Sequence, residues 1–465
     1  MKSTAWGILC VLGGFLYHLA LGYFYTVGNM NPYIVSYTGI RPSEAAWFSS
    51  TLLALQASFM PIGAILASKI GYKFVLIIAM IFSAGGILLT RLTVDYGLGA
   101  YIATYCIMNG IGMGIPYSLI FSIAQSWFPN KRATVVGIIS SGFGLGALVF
   151  TPIQIAIINP NNLSPNSTGS FPESVRTAIP NAFLILGGLV FSLELIGTIL
   201  LREYPADKSE SDCSSAKNTD STEMKILAGD VEPKKPVVCT PKSYTVYQAL
   251  KSIDFYLLFF IVFSDIVPVT LLTSTFKLYG IRGGFDDQFL SAVATTSAAF
   301  NCIGRVFWGQ MVDRFSSKCP LMCFLITWAT LFLTFPYVTA VGGVASKALY
   351  AIWVFLLFSS LSANFVVIPA TCIRVFGPVN MATIYGLIYF ATCPSALITA
   401  GIFSQFDIQG KWIPVYTACG CFCLLSLAMA LFIRDKSAHC VGCTNNICAA
   451  LCDPLRKHAA EAEEA

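Results

Sequence analysis

Residues 198–256 read TILLREYPADKSESDCSSAKNTDSTEMKILAGDVEPKKPVVCTPKSYTVYQALKSIDFY. An apolar run ends at Leu201, a stretch rich in Ser, Lys, Asp, Glu and Pro follows, and a second apolar run opens after Lys251. A segment of that composition cannot bury enough apolar surface to offset its conformational entropy, so residues 202–251 are expected to form a flexible polar linker. Outward from it, apolar runs recur at 6–28, 44–68, 72–92, 97–122, 132–157 and 180–201 on one side, and at 252–280, 287–311, 319–341, 345–370, 380–404 and 411–433 on the other. About 20 apolar residues in a helix cross a ~30 Å hydrocarbon core. Six runs, a linker and six runs predict an all-α polytopic membrane protein with twelve transmembrane helices. They form two pseudo-symmetric halves, 1–201 and 252–433, that rock about a central site, with a tail at 434–465.

Composition supports this reading. Of 465 residues 56% are hydrophobic and 11% charged, with a mean hydropathy of +0.71, which excludes an ordinary soluble chain. The first run is too long for a secretory signal, follows only Lys2 and shows no convincing cleavage site, so it reads as the first span. No nucleotide loop, metal-spaced His cluster or nucleophile with a nearby His is evident. Neither an enzyme, a cofactor, a metal nor a nucleic-acid partner is expected.

Lys and Arg set the expected sidedness. Lys2, Lys69, Lys73, Lys131, Arg132, Arg314, Lys318, Arg374, the linker and the tail share one side. The poorer set is Arg41, Arg91, Arg176, Lys277, Arg282, Lys347 and Lys411. The positive-inside rule therefore places both termini in the cytosol. The sequons at Asn162 and Asn166 then fall in an outer loop, where glycans can be added in a eukaryotic host, with the plasma membrane as the expected residence.

The loops carry a family resemblance. Gly63-Ala-Ile-Leu-Ala-Ser68-Lys69-Ile-Gly71-Tyr-Lys73 and Gly304-Arg305-Val-Phe-Trp-Gly309-Gln-Met-Val-Asp313-Arg314 resemble the paired loop motif of the major facilitator superfamily, one copy per half. The resemblance implies gating contacts at Lys69, Lys73, Asp313 and Arg314, although Ser68 stands where an acid is usual. Gly110-Ile-Gly112-Met-Gly114-Ile-Pro116-Tyr117, Trp127-Phe-Pro-Asn-Lys131-Arg132, Gly142-Phe-Gly144-Leu-Gly146 and Tyr385-Gly386-Leu-Ile-Tyr389 further resemble the monocarboxylate transporters and oxalate:formate antiporters. Small residues at such positions let helix backbones approach closely.

Arg305 is the one basic residue read as lying well inside the membrane zone. A cation there costs about 2.5–3.5 kcal/mol even on the lenient insertion scale, so it faces a polar cavity that receives an anion, or it snorkels towards the helix end past Asp313. The resemblance implies a substrate-binding arginine at this position, with Asn301 where an acid commonly precedes it. Thr392 stands where the antiporters have a lysine, and Tyr25-Thr-Val-Gly-Asn29 carries no lysine either. One embedded cation favours a monoanion over a dianion, because a second charge would lie unpaired in a poorly hydrated site. Gln56, Tyr117, Asn364, Tyr385 and Tyr389 are further candidates to line the cavity, against the plainer reading of helix packing.

Asp265 and His18 are candidate proton carriers at membrane depth. Against that, Asp265 precedes Pro268 and satisfies a kinked backbone, and His18 is a hydrogen-bonded packing residue. None of the 16 cysteines falls in an expected outer loop, which argues against an extracellular disulfide framework. Cys440 and Cys443 in the tail are candidates for palmitoylation at the membrane surface. The expected function is secondary active transport of a small organic anion, foremost a monocarboxylate, by proton symport or anion exchange. The alternatives are another solute such as oxalate or a dicarboxylate, or a non-transporting scaffold or receptor. The bilayer is the expected environment. An ancillary glycoprotein partner cannot be inferred from these residues.

Overall fold

A computed structural model describes residues 2–40, 46–163, 166, 170–205, 243–405, 410–435 and 447–456. Cys440, Cys443 and most of the linker lie outside them. Among the described residues twelve long helical segments follow one another: α1 Thr4–Thr38, α2 Trp47–Ile70, α3 Tyr72–Tyr96, α4 Leu98–Gln125, α5 Arg132–Ile158, α6 Glu173–Leu200, α7 Ile253–Arg282, α8 Asp287–Arg314, α9 Lys318–Val341, α10 Gly343–Phe376, α11 Met381–Ile402 and α12 Trp412–Leu431. Among the described residues no strand occurs.

Eleven of the twelve are long and apolar enough by composition to cross a membrane; α8 is not among them. Its 28 residues reach about 42 Å at 1.5 Å per residue, ample for the core. Thr295, Thr296, Ser297, Asn301 and Arg305 lower its hydropathy. The helix packs closely on α5 and α10, so part of its polar surface meets protein rather than lipid.

Among the described residues, two of the helices that reach the centre of the bundle, α1 and α11, are interrupted there. α1 tightens into a 3₁₀ turn at Gly22–Thr26, and α11 is interrupted at 390–391, between Met381–Tyr389 and Thr392–Gln405. The α1 break lies against α5 at a crossing that only glycine permits. A Cβ on Gly146 would lie 2.0 Å from the Gly22 carbonyl oxygen, and one on Gly22 2.5 Å from that of Phe143.

One face of the bundle collects the start of α1 and the residues that follow α6 and α12. Trp6 stacks under Arg202, whose carbonyl accepts from Trp127, while Asp435 accepts from the backbone N–H groups of Ser317 and Lys318. Part of the stretch expected to be a flexible linker, and part of the tail, are ordered on this face. The last part of the linker is a short helix, Val246–Lys251, because Thr245 and Gln248 form a reciprocal capping box. In the tail, Arg456 donates to both carboxylate oxygens of Asp254 at 2.9 and 2.7 Å and to the Phe432 carbonyl, fastening residues 447–456 to the ends of α7 and α12.

Candidate functional site

Arg305 is fully buried. Its guanidinium does not reach for the helix end. Nε donates to Asn301 Oδ1 at 3.0 Å, one terminal nitrogen to the Ser140 carbonyl on α5 at 2.9 Å, and the other to the Tyr25 hydroxyl on α1 at 3.2 Å. All three partners are neutral. A guanidinium carries five N–H donors, so three engaged leave one on each terminal nitrogen, the edge that a carboxylate bridges.

Glycine makes the room. A Cβ on Gly144 would sit 3.2 Å from Arg305 Nε and 3.3 Å from Asn301 Oδ1, and one on Gly137 2.5 Å from the Arg305 carbonyl oxygen. Gly137 and Gly144 therefore let α5 close on α8 around the cation, while Phe143 projects beside it.

The surroundings are aromatic. The Arg305 Cζ lies 4.8 Å from the centre of the Phe365 ring and 5.6 Å from that of Phe143. Phe143 contacts Tyr25 at 5.1 Å and Tyr117 at 5.6 Å between centroids. Tyr117 lies nearly parallel to Tyr389 at 6.2 Å, Tyr389 meets Tyr385 at 5.7 Å, and His18 packs 5.1 Å from Tyr117. Residues from α1, α4, α5, α8, α10 and α11 thus converge on one point, with the breaks in α1 and α11 delivering Tyr25, Tyr389 and Thr392.

Polar atoms around this point lack protein partners. The Tyr117 and Tyr385 hydroxyls, Thr392 Oγ1 and His18 Nε2 are buried without a hydrogen bond. Each such group costs about 1–3 kcal/mol if left dry, so water or a solute must complete them. Gln56 Oε1 is in the same condition on α2, where the Gln56 backbone faces Gly114 of α4.

The structure brings together Arg305, Asn301, Tyr117, Tyr385, Tyr389, Thr392 and His18 from the sequence candidates. Asp265 is not among the groups that touch them. Its Oδ1 accepts from Ser426 on α12 at 2.6 Å, and no hydrogen bond reaches its Oδ2. Tyr25, Ser140, Phe143 and Phe365 were not among those candidates. Phe143 had a signal in its flanking glycines, whereas a backbone carbonyl such as that of Ser140 has none.

The loop motifs behave unequally. Asp313 accepts from the N–H groups of Ala133 at 3.2 Å and Thr134 at 2.7 Å, so an acid at the end of α8 caps the first turn of α5 in the other half. In the first copy Ser68 donates to the Ile65 carbonyl of its own helix, and Lys69 and Lys73 are exposed, as is Arg314. Asn162 and Asn166 are exposed in the connection between α5 and α6.

The family model of the major facilitator superfamily matches residues 11–401. The chain belongs to this superfamily. Among curated relatives, apicoplast pyruvate carrier 1 of Toxoplasma gondii is 25% identical, covering 85% of this chain and 83% of its own. The oxalate:formate antiporter of Oxalobacter formigenes is 23% identical over 82% and 80%, and monocarboxylate transporter 12 of Xenopus laevis 22% over 86% and 83%. Two solved superfamily structures share the fold. The E. coli fucose:proton symporter has a TM-score of 0.60 at 14% identity, covering 92% and 98%. The proton:xylose symporter bound to 6-bromo-6-deoxy-D-glucose has 0.61 at 14%, covering 97% and 99%. The chain is thus a multi-pass membrane protein of a transporter superfamily.

Proposed function

We propose that this superfamily member carries a small organic monoanion, foremost a monocarboxylate, across the membrane by alternating access, with Arg305 holding the carboxylate. The observation that carries the reading is a fully buried arginine with three neutral partners and one free N–H on each terminal nitrogen. Among the described residues no acid bonds to it, so the counter-charge comes with the cargo. The aromatic walls suit a short carbon skeleton, and Tyr117, Tyr385 and Thr392 offer hydrogen bonds to its polar atoms.

The printed names of the relatives, a pyruvate carrier, an oxalate:formate antiporter and a monocarboxylate transporter, support the same cargo class. Asp313 on the first turn of α5 supports a state closed on the face that holds the start of α1 and the residues that follow α6 and α12, and rocking of the halves would break that contact. The proposed residence is the plasma membrane with cytosolic termini, on the distribution of Lys and Arg.

Uptake of labelled lactate, pyruvate, formate and oxalate into proteoliposomes, with and without a proton gradient or internal counter-anion, tests the reading. Saturable monoanion uptake is expected. Uptake of oxalate alone refutes the charge argument, and no uptake of any anion by folded protein leaves the scaffold as the better account.

A further inference from the structure

Of the chain's three histidines, only His18 lies in a membrane span, and it is fully buried beside the cargo site. Its Nδ1 is 3.1 Å from the Gly14 carbonyl oxygen. A carbonyl can only accept, so Nδ1 carries the hydrogen and the neutral ring presents a bare lone pair at Nε2. No well-formed hydrogen bond satisfies that nitrogen, and the backbone of Tyr117 lies beside the ring. The ring stacks on Phe121 at 4.8 Å and packs on Tyr117 at 5.1 Å, which holds it in place at the edge of the tyrosine cage.

From α4, Phe121 and Tyr117 face His18, and from α8 the cation Arg305 interacts with it electrostatically. The only Arg, Lys, Asp, Glu, His, Cys or Tyr on α5 is Arg132, at its start. On α6, Glu194 bonds to Ser83 of α3 and interacts with Tyr17, the residue beside His18 whose hydroxyl donates to the Leu76 carbonyl of α3. On α11, Tyr385 and Tyr389 lie beyond Tyr117. Arg305 is thus the cation that acts on His18, with the rings of Tyr117 and Phe143 between them.

Resting on the reading of Arg305 as the carboxylate holder, we infer that His18 Nε2 takes up a proton when an anion occupies Arg305, and that the two cross together. With the site empty, the unpaired guanidinium opposes a second positive charge close by. A bound carboxylate cancels that field, and a protonated Nε2–H then restores the charge the empty site had. Anion and proton thus raise each other's affinity by one shared factor, because coupling between sites is reciprocal. The balance is simple: one anion and one proton enter the site, one anion and one proton leave it, and no covalent bond changes. Among the described residues Asp265 has no comparable link, since its carboxylate bonds to Ser426 on α12.

The test uses proteoliposomes holding a trapped pH dye and supplied with labelled pyruvate, comparing wild type, His18→Asn and Asp265→Asn. The amide of Asn can still donate to the Gly14 carbonyl and does not titrate. Wild type should move about one proton per pyruvate, and subsaturating uptake should rise up to about tenfold for each unit of external acidification. The same ratio is expected of Asp265→Asn. His18→Asn should exchange pyruvate for internal pyruvate with no accompanying proton, a ratio that a packing defect does not alter.

A wild-type proton ratio in His18→Asn overturns the inference, as does wild-type exchange with no proton movement, and in both cases the anion reading survives. If wild type handles no anion at all, the anion reading falls and takes this one with it. Should His18→Asn fail to fold, pyruvate added to Asp265→Asn in weakly buffered detergent must draw protons from solution. No uptake there refutes the role.

Discussion

Replacing Arg305 with Gln separates a cargo ligand from a packing residue, because the two roles predict opposite patterns of stability and binding. The side chain makes three hydrogen bonds to neutral groups in a site with no exposure. Bonds to a charged group contribute about 1.5–3 kcal/mol each, or about 4.5–9 kcal/mol together. Desolvating the cation costs several kcal/mol and offsets most of that. Arg305→Gln, which can still bond to one or two of the same partners, should change the stability of the anion-free protein by no more than about 2 kcal/mol. Binding is different. Removing one partner of a buried, hydrogen-bonded charge pair costs about 2–5 kcal/mol, or about 30- to 5,000-fold in affinity. Thermal unfolding in detergent with and without pyruvate reads both quantities at once. At one hundred times the dissociation constant, wild type should gain about 2.7 kcal/mol, and the variant nothing at the same concentration. A variant that melts far below wild type yet keeps its anion-dependent gain would show that Arg305 packs the bundle and does not hold the cargo.

Three further outcomes follow from the geometry. Gly146→Ala should cost more than the about 1–3 kcal/mol typical of overpacking, since its Cβ would press on the Gly22 backbone, whereas Gly28→Ala, with nothing within 4 Å, should melt like wild type; folded yield in detergent separates them. Asp313→Asn weakens the cap on α5 by about 0.5–2 kcal/mol, shifting about 2- to 30-fold of the population towards the state open on that face, as reported by labelling of a single engineered cysteine; unchanged labelling would remove the latch. Arg456→Ala leaves the nearly buried Asp254 without its partner and should cost about 3–5 kcal/mol, measured by thermal unfolding; a small loss would mean that Asp254 is satisfied elsewhere.

The helical runs were legible because the bilayer allows few alternatives to a helix, so hydropathy alone marks most spans. α8 is instructive in the other direction. The helix that holds Arg305 is the one whose hydropathy falls short, because a span that lines a polar site turns Asn301 and Arg305 inward against protein. Arg305 itself was legible, since a cation amid apolar residues demands an explanation. Its partners were less so. The Ser140 carbonyl belongs to the backbone, which any residue could supply, and Tyr25 reaches Arg305 from a 3₁₀ break that helical periodicity does not foresee. Phe365 faces the cation from α10, far along the chain, and only the packing of the halves brings it there.

The charge of the site also limits what can pass. Among the described residues, its one cation has neutral partners in Asn301, Ser140 and Tyr25, so an empty site carries a single positive charge and a bound monocarboxylate neutralises it. A dianion in the same place leaves one negative charge in a buried, aromatic-walled space. At an effective dielectric constant near 20, two unit charges 4 Å apart interact by about 4 kcal/mol. The surplus charge therefore weakens binding unless a second cation or a proton meets it. His18, at the edge of the tyrosine cage, is placed to take up that proton. If oxalate is carried at all, its uptake must stay pH-dependent to higher pH than that of pyruvate, because the extra negative charge holds the same His18 proton more tightly. Equal pH dependence for the two anions would mean that the second charge is met by a residue outside the Arg305 and His18 pair.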